Sequence, residues 1–235
     1  MSALPLASID GAIEFIFTPQ YSNVTGGKKV GGIDQVIELA LNQLQVTVYA
    51  LAVAMLVALP IGLYLGHRHR GESFAVAFGT SGRGIPELVV IAFLAAAIGV
   101  GLYNVSLALA VLGIPPILAN AFVAIHQVDE GSVEAARGMG MSESEILRKV
   151  ELPLGIPTLM GGIRSAAIVI VATATIAPIA GYETLGDFII NENVYGENGV
   201  LAGAIVVALL AVMLEMALAG VQRLLTSPGL KPRPA

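Results

Sequence analysis

The sequence predicts an all-α protein that crosses a membrane about five times. Of its 235 residues, 56% are hydrophobic and the mean hydropathy is +0.82. Charged residues make up 12%, about half of the roughly 25% that is usual for a soluble chain. Five apolar stretches approach or reach the roughly 20 residues that a spanning helix needs. A soluble domain of this size could not hide so much apolar surface in one core.

The five stretches define the predicted membrane segments. The bilayer offers no hydrogen-bond partner to the backbone, so each segment should be helical. The second is broken near residues 82–86 and the third contains two adjacent prolines, and these breaks are expected to face other helices or a water-lined cavity. The segments cover residues 44–65, with an amphipathic extension from Ile33, then 74–100, 105–125, 156–180 and 200–224.

A stripe of small residues follows the first segment at a strict spacing of four: Ala50, Ala54, Ala58 and Gly62. Residues four apart lie on one face of a helix, and small side chains there allow another helix to approach closely. The stripe therefore predicts helix packing rather than a ligand site.

Lysine and arginine are distributed unevenly among the connections. If five helices alternate, two basic residues fall on the side of the N-terminus and eight on the other side, while the connection 181–199 has none. The positive-inside rule then places the N-terminus outside and the C-terminus in the cytoplasm, with chance asymmetry as the alternative. The eight basic residues are Arg68, Arg70, Arg137, Arg148, Lys149, Arg223, Lys231 and Arg233.

This orientation divides the chain into an external N-terminal segment (1–32), a membrane domain (33–226) and a cytoplasmic tail (227–235). Within the membrane domain, the longest cytoplasmic connection is the loop 128–155. Asp129 or Ser132 can cap a short helix there, and Ser142 with Glu145 forms a capping box that starts a second helix. Apolar residues between the two caps predict a surface that docks on a cytoplasmic partner rather than a solvated linker: Val133, Ala135, Ala136, Met139 and Met141.

The same loop carries a long gapped motif. The residues Glu134-Ala135-Ala136, then Gly140, then Val150-Glu151-Leu152-Pro153 resemble the EAA signature of ABC importer permeases at every spacing, with Val150 in place of isoleucine. The resemblance implies the type I, methionine-importer-like arrangement and a coupling helix that sits in a cleft of the ATPase subunit. It assigns the coupling role to Glu134, Ala135, Ala136, Gly138, Met139, Gly140 and Met141.

Three further runs of residues indicate which group of ABC importer permeases the chain resembles. Gly84-Ile85-Pro86, residues 185–189 and residues 223–226 resemble the permeases of quaternary-amine osmoprotectant importers, and the likeness covers about residues 35–230. Glu87 departs from that family, where a small or hydroxylated residue is more usual. The resemblance implies a bacterial inner-membrane protein that carries glycine betaine, choline, carnitine or proline betaine. It implies four partners and no cofactor: an ABC ATPase subunit, a second permease copy or paralogue, an external substrate-binding protein and membrane lipid.

Ionisable residues inside membrane segments are functional candidates because their burial is costly. Glu87 is interpreted as a pathway or gate residue, or as one end of an intersubunit hydrogen bond. For Glu215, an interfacial structural role is favoured over a functional one. Candidate pathway or gate residues are Pro86, Glu87, Asn120, Thr173 and Thr175, with helix–helix hydrogen bonds as the alternative for the last three. His67 and His69 are interpreted as part of a cationic cytoplasmic loop rather than a metal site, and His126 as a residue at a helix end.

The composition excludes several other functions. Without cysteine there is no disulfide, thiolate metal site or cysteine nucleophile, and a net charge of −5 gives no basic footprint for nucleic acid. We expect neither catalytic nor metal-binding residues. The sequence offers no credible nucleophile or metal cluster for a membrane enzyme. Two alternatives stay open: a self-contained secondary transporter, although no inverted repeat is visible, and an ABC importer of another small polar solute such as an amino acid.

Overall fold

The computed structural model describes residues 8–22, 24, 27, 29–71, 73, 77, 79, 86–226 and 229. The predicted break at residues 82–85 and the basic tail residues Lys231 and Arg233 lie outside these residues. Lys28 and the motif residues Gly84-Ile85, which fall within that break, are likewise outside the described residues.

The described N-terminal residues form a short helix and a hairpin. Helix α1 (Ile9–Phe17) begins where the Ser8 side chain accepts a hydrogen bond from the backbone N–H of Gly11, and it buries Ala12 and Phe15. Strands β1 (Gln20–Tyr21) and β2 (Lys29–Val30) pair antiparallel. The predicted external segment therefore contains ordered structure that the sequence alone did not indicate.

Helices account for most of the described chain after residue 32. A π-helical turn (Leu147–Glu151) joins α6 to α7, a 3-10 helix (Ala174–Ala180) follows α7, and Gly196 at φ 69° kinks α9. The helices are α2 (Ile33–His67), α3 (Glu87–Ile98), α4 (Leu102–His126), α5 (Glu130–Gly138), α6 (Glu143–Ile146), α7 (Leu152–Thr173), α8 (Gly186–Ile190) and α9 (Glu192–Leu225).

Four helical stretches of the described residues are long and apolar enough to cross a membrane, and α3 is a shorter apolar helix of 12 residues. The all-α membrane fold is confirmed, and the prediction of about five segments agrees roughly with four spans and α3. The extension of the first segment from Ile33 is also confirmed, since α2 runs unbroken through Pro60 to His67. The four spanning stretches are Ile33–His67, Leu102–His126, Glu143–Ala180 and Glu192–Leu225.

The described residues divide into two compact units. The first unit comprises Met1–Tyr49, Glu87–Leu109 and Ile170–Met213, so far as these are described. Its core contains an aromatic cluster in which the Phe15 ring meets the rings of Phe188 and Tyr195 edge-on, with centroids 5.3 and 6.3 Å away. Helix α1 is thereby anchored to the chain around α8 and the start of α9.

The second unit comprises Ala50–Pro86, Ala110–Val169 and Leu214–Ala235, again so far as described. The small-residue stripe of α2 is buried in it, with Ala50, Ala54 and Ala58 each 0% exposed. A Cβ placed on Gly62 would lie 2.7 Å from the Cβ of Ala121 on α4. The prediction of close helix packing along this stripe is confirmed.

Candidate coupling site

Helix α5 is the first element of the loop between α4 and α7. Its N-cap is Asp129, whose carboxylate accepts hydrogen bonds from the Ser132 backbone N–H at 2.8 Å and from the Ser132 hydroxyl at 3.0 Å. Satisfying one of the free N–H groups of the first turn favours the helix start at Glu130. Of the two predicted caps, Asp129 is the one that the structure uses.

The end of α5 is fixed by the backbone. Gly140 adopts φ +83°, a conformation that costs a glycine little and most other residues more. The turn is closed by the Met141 N–H, which donates to the Ala136 carbonyl, and by the Gly140 N–H, which donates to the Arg137 carbonyl. The helix thus ends in a left-handed turn, a conformation that favours glycine at this position.

Helix α6 starts with the predicted capping box. The backbone N–H of Ser142 donates to Glu145 Oε2 at 3.1 Å, and the Ser142 hydroxyl contacts the same oxygen at 2.9 Å. Lys149 donates to the other oxygen of Glu145 at 2.9 Å. Both interactions are local in sequence, so the prediction from the residues at 142 and 145 is confirmed.

The two short helices are tied together by an ion pair. Arg137 at the end of α5 donates from Nε to Glu143 Oε1 at 3.1 Å and from Nη2 to Glu143 Oε2 at 3.3 Å. The hydrogen bond and charge of Glu143 raise the pKa of the exposed Arg137 side chain. This fork of two hydrogen bonds fixes the direction of α5 relative to α6.

The predicted docking residues differ in their exposure. Met139 is 72% exposed, whereas Ala136 is only 1% exposed. The methyl group of Ala136 therefore lies on the inner face of α5, and the coupling role of these residues stays a prediction. Glu134, Ala135, Gly138 and Gly140 are exposed, while Val133 and Met141 are half-buried.

A cleft of about 260 Å³ lies beside this loop, and His67 and Glu151 are among the residues that line it. His67, interpreted as part of a cationic cytoplasmic loop, is the last residue of α2, and its side chain is only 11% exposed. The Nδ1 atom of His67 lies 2.6 Å from Oε2 of Glu151, a carboxylate that is 2% exposed.

Two other histidines, His69 and His126, contact each other at 3.0 Å, and His126 ends α4 as expected. The cleft is lined by His67, His69, Ile125, Val128, Glu130, Val133, Glu134, Arg137 and Glu151.

The candidate pathway residues lie on several elements. Asn120 donates to the Pro116 carbonyl at 2.8 Å and Thr175 donates to the Ala172 carbonyl at 2.8 Å. These bonds stay within four residues of the donor and do not join separate helices. Pro86 and Glu87 are exposed, with Glu87 in the first turn of α3, and Thr173 is the last residue of α7. Their role in a pathway stays a prediction.

Arg164 is a membrane-segment charge that the sequence interpretation missed. It lies on α7 and donates from Nε to Glu215 Oε1 on α9 at 2.8 Å, and from Nη1 to Gln222 Oε1 at 2.7 Å. Gln222 in turn donates to the Pro157 carbonyl at 3.4 Å. The rule that singled out Glu215 as an ionisable residue inside a membrane segment identifies Arg164 as well.

The connection after α7 holds a second charged region. Asp187 on α8 accepts hydrogen bonds from the Thr184 N–H at 3.2 Å and from the Asn191 side chain at 3.1 Å. Burial, followed by the nearby charge of Glu183, raises the pKa of the Asp187 carboxyl even though these hydrogen bonds oppose the shift. Asp187 is thus a half-buried acidic group held in place by its own loop.

These features define a multi-pass helical membrane protein whose membrane helices are joined by an exposed, doubly capped loop. The chain matches the family of binding-protein-dependent transport system inner membrane components over residues 58–227. It belongs to this family of ABC importer permeases and is a multi-pass inner-membrane protein. Permease subunits of this family are not themselves enzymes.

Characterised relatives support the assignment. The chain is 34% identical to the carnitine transport permease protein OpuCB of Listeria monocytogenes, over 79% of this chain and 86% of that one. It is 33% identical to the glycine betaine/carnitine/choline transport system permease protein OpuCB of Bacillus subtilis, over 80% and 87%. An inward-facing structure of the MetNI methionine ABC transporter superposes with a TM-score of 0.70 at 22% identity, covering 83% of this chain and 98% of that chain. The chain therefore has the fold of the methionine-importer permeases.

Proposed function

We propose that this chain forms the translocation pathway for a quaternary-amine osmoprotectant such as glycine betaine, choline or carnitine. Relatives that match about four fifths of the chain are permeases for carnitine, choline and glycine betaine, which supports this solute class. A second permease, either a copy or a paralogue, completes the pathway. An external substrate-binding protein delivers the solute, and a partner ATPase subunit hydrolyses the ATP.

The observation that carries the proposal is the geometry of α5. It is a two-turn helix that is capped at both ends, braced by Arg137, and followed by a left-handed glycine. Its outer face presents Glu134, Ala135 and Met139 to solvent. A rigid, exposed element of this kind is suited to dock in a cleft of a partner and to pass its movement into the membrane helices, as alternating access requires.

The proposed topology places α5 in the cytoplasm. The N-terminus and the segment 1–32 lie outside, the membrane domain covers 33–226 with the coupling loop at 128–155, and the tail 227–235 lies in the cytoplasm. The excess of Lys and Arg in the connections on the side of α5 supports this orientation.

The coupling role is tested with two substitutions in the loop. Gly140→Val forces a β-branched residue into φ +83°, at a cost of about 1–3 kcal/mol. Glu134→Lys reverses a charge on the exposed face of α5. Both variants should insert normally but abolish ATP-driven uptake of radiolabelled glycine betaine, choline and carnitine, measured in cells that express this chain with its ATPase and binding protein.

The matched control is Gly220→Val. Gly220 lies near the C-terminal end of α9, far from the kink at Gly196, and has open space where a Cβ would be placed, so valine should be tolerated there without a change in the loop. Gel filtration in detergent checks that every variant folds. Wild-type uptake by both loop variants would remove the coupling role from this loop.

Two alternatives are separated by the same preparation. If the purified chain alone, reconstituted in liposomes, accumulates solute on an ion gradient, it is a secondary transporter. If the complete complex takes up methionine or another amino acid but none of the three quaternary amines, it is an importer of a different polar solute. Our proposal expects neither result.

A further inference from the structure

The end of α2 is linked to the coupling loop by one histidine between two carboxylates. His67 Nδ1 lies 2.6 Å from Glu151 Oε2, and His67 Nε2 lies 3.3 Å from Glu143 Oε2. Glu151 ends the π-helical turn and Glu143 begins α6. His67 therefore contacts both ends of the segment that returns the chain from α5 to the membrane.

This arrangement places a carboxylate oxygen opposite each ring nitrogen of His67. A carboxylate oxygen only accepts hydrogen bonds, so each ring nitrogen needs a hydrogen to be attracted to the oxygen that it faces. A neutral imidazole has only one N–H and leaves one of the two carboxylates facing a lone pair. The double contact is complete only in the imidazolium.

The surroundings of His67 contain charges of both signs. Glu143 is also held by the Arg137 fork, so a chain of ion pairs runs from Glu151 through His67 and Glu143 to α5. Arg68 follows His67 in sequence and is exposed. The titratable and charged groups around His67 are Glu151 on the π-helical turn, Glu143 on α6, Glu130, Glu134 and Arg137 on α5, Arg68 and His69 after α2, and His126 on α4.

The end of α2 is tightly packed next to this contact. A Cβ placed on Gly66 would lie 2.7 Å from the carbonyl oxygen of Phe122 and 2.9 Å from the Cβ of Ile125, both on α4. Backbone in such close contact transmits a displacement instead of absorbing it. A pull on His67 therefore acts on α2 and α4 together.

We propose that His67 is a positioning residue for transport: as an imidazolium it ties the end of α2 to the coupling loop through Glu151 and Glu143, and the tie weakens when the ring loses its proton. The inference rests on the proposed coupling role of α5. It adds a route by which movement of the loop reaches the first membrane helix, and it makes this route sensitive to cytoplasmic pH.

The test compares variants in the complete transporter, reconstituted with its ATPase and binding protein in liposomes. Uptake of radiolabelled glycine betaine, choline and carnitine is measured per bound ATPase while the pH on the side of the coupling loop is raised from about 6 to about 8, the interval in which imidazole titrates. Wild-type uptake should fall by about tenfold relative to His67→Arg, a factor that the loss of a charge-assisted hydrogen bond supports. His67→Arg keeps several N–H donors and a permanent charge, so its uptake should be active and nearly independent of pH.

Three other variants complete the design. His67→Gln should have low uptake at both pH values because it lacks the charge. Glu143→Gln alters a side chain that is 55% exposed, so the variant should fold; although it also weakens the Arg137 fork, its pH profile, taken relative to its own uptake at the lower pH, should shift toward acid. His126→Gln should keep the wild-type profile, because His126 contacts His69 and Phe122 instead of the two carboxylates.

A second measurement tests the His67 contact separately from the coupling role of α5. Hydrogen exchange of residues 130–151 in the isolated full chain, corrected for intrinsic pH dependence, should speed up at the higher pH in wild type but not in His67→Arg. If the ATPase binds wild type but His67→Gln and wild type share one pH profile in uptake and exchange, the tie is contradicted while the proposed function stands. If the ATPase does not bind the chain at all, the proposed function fails whatever the exchange shows.

Discussion

Arg164 on α7 and Glu215 on α9 form an ion pair within the membrane segments, with 2.8 Å between Arg164 Nε and Glu215 Oε1. Their side chains are 30% and 28% exposed, and the other carboxylate oxygen of Glu215 has no hydrogen-bond partner among the described residues. In the apolar membrane segments, the charge of each side chain is therefore neutralised mainly by the other. The pair joins two helices that are far apart in sequence.

The first prediction concerns this pair. Arg164→Ala leaves a partly buried carboxylate without its partner and should destabilise the protein by about 1–3 kcal/mol. Glu215→Ala should have a similar effect. The double variant Arg164→Met/Glu215→Leu should be more stable than the sum of the single effects predicts, because it removes both charges. Unfolding in mixed detergent micelles measures all three, and strict additivity would mean that the two charges do not interact.

The second prediction concerns two adjacent glycines on α7. A Cβ on Gly162 would collide with the Cβ of Asn120 and lie 2.9 Å from the Pro116 carbonyl oxygen, whereas a Cβ on Gly161 meets nothing within 4 Å. Gly162→Val should therefore destabilise the protein by about 1–3 kcal/mol through overpacking against α4. Gly161→Val is the matched control and should change stability by no more than about 0.5 kcal/mol. Equal losses in the two variants would contradict the close approach of α7 to α4.

The third prediction concerns topology. The chain contains no cysteine, so single cysteines at Ser132 and Glu192 can be labelled without background. Both positions are exposed. An impermeant maleimide added to intact cells should label the cysteine at 192 and leave the one at 132 unmodified until the membrane is opened. Labelling of both positions in intact cells would be incompatible with the proposed orientation.

Features set by near neighbours in sequence were predictable. The Ser142–Glu145 capping box and the left-handed turn at Gly140 depend on residues within one or two helical turns. The membrane segments follow from apolar runs that the bilayer itself requires. The small-residue stripe of α2 also predicted packing correctly, although it did not identify α4 as the partner.

Features set by distant residues were not predictable from local patterns. His67 and Glu151 are 84 positions apart, and Arg164 and Glu215 are 51 apart, so only the folded chain brings them together. The burial of Ala136 was not predictable either, because composition does not tell which side of a two-turn helix faces inward. The anchoring of α1 through Phe15 likewise depends on residues near position 190, far along the chain.

Cross-linking from Met139 tests the central claim most directly, because this side chain is 72% exposed at the end of α5. A photo-reactive amino acid at position 139, irradiated in membranes that retain ATP-driven uptake, should form an adduct with the ATPase subunit. The same probe at Tyr21, which is 68% exposed in the external segment, should form none. An adduct from position 139 alone is the result that we predict. Absence of that adduct in actively transporting membranes, or an ATPase adduct from position 21, would contradict the assignment of this loop as the coupling element.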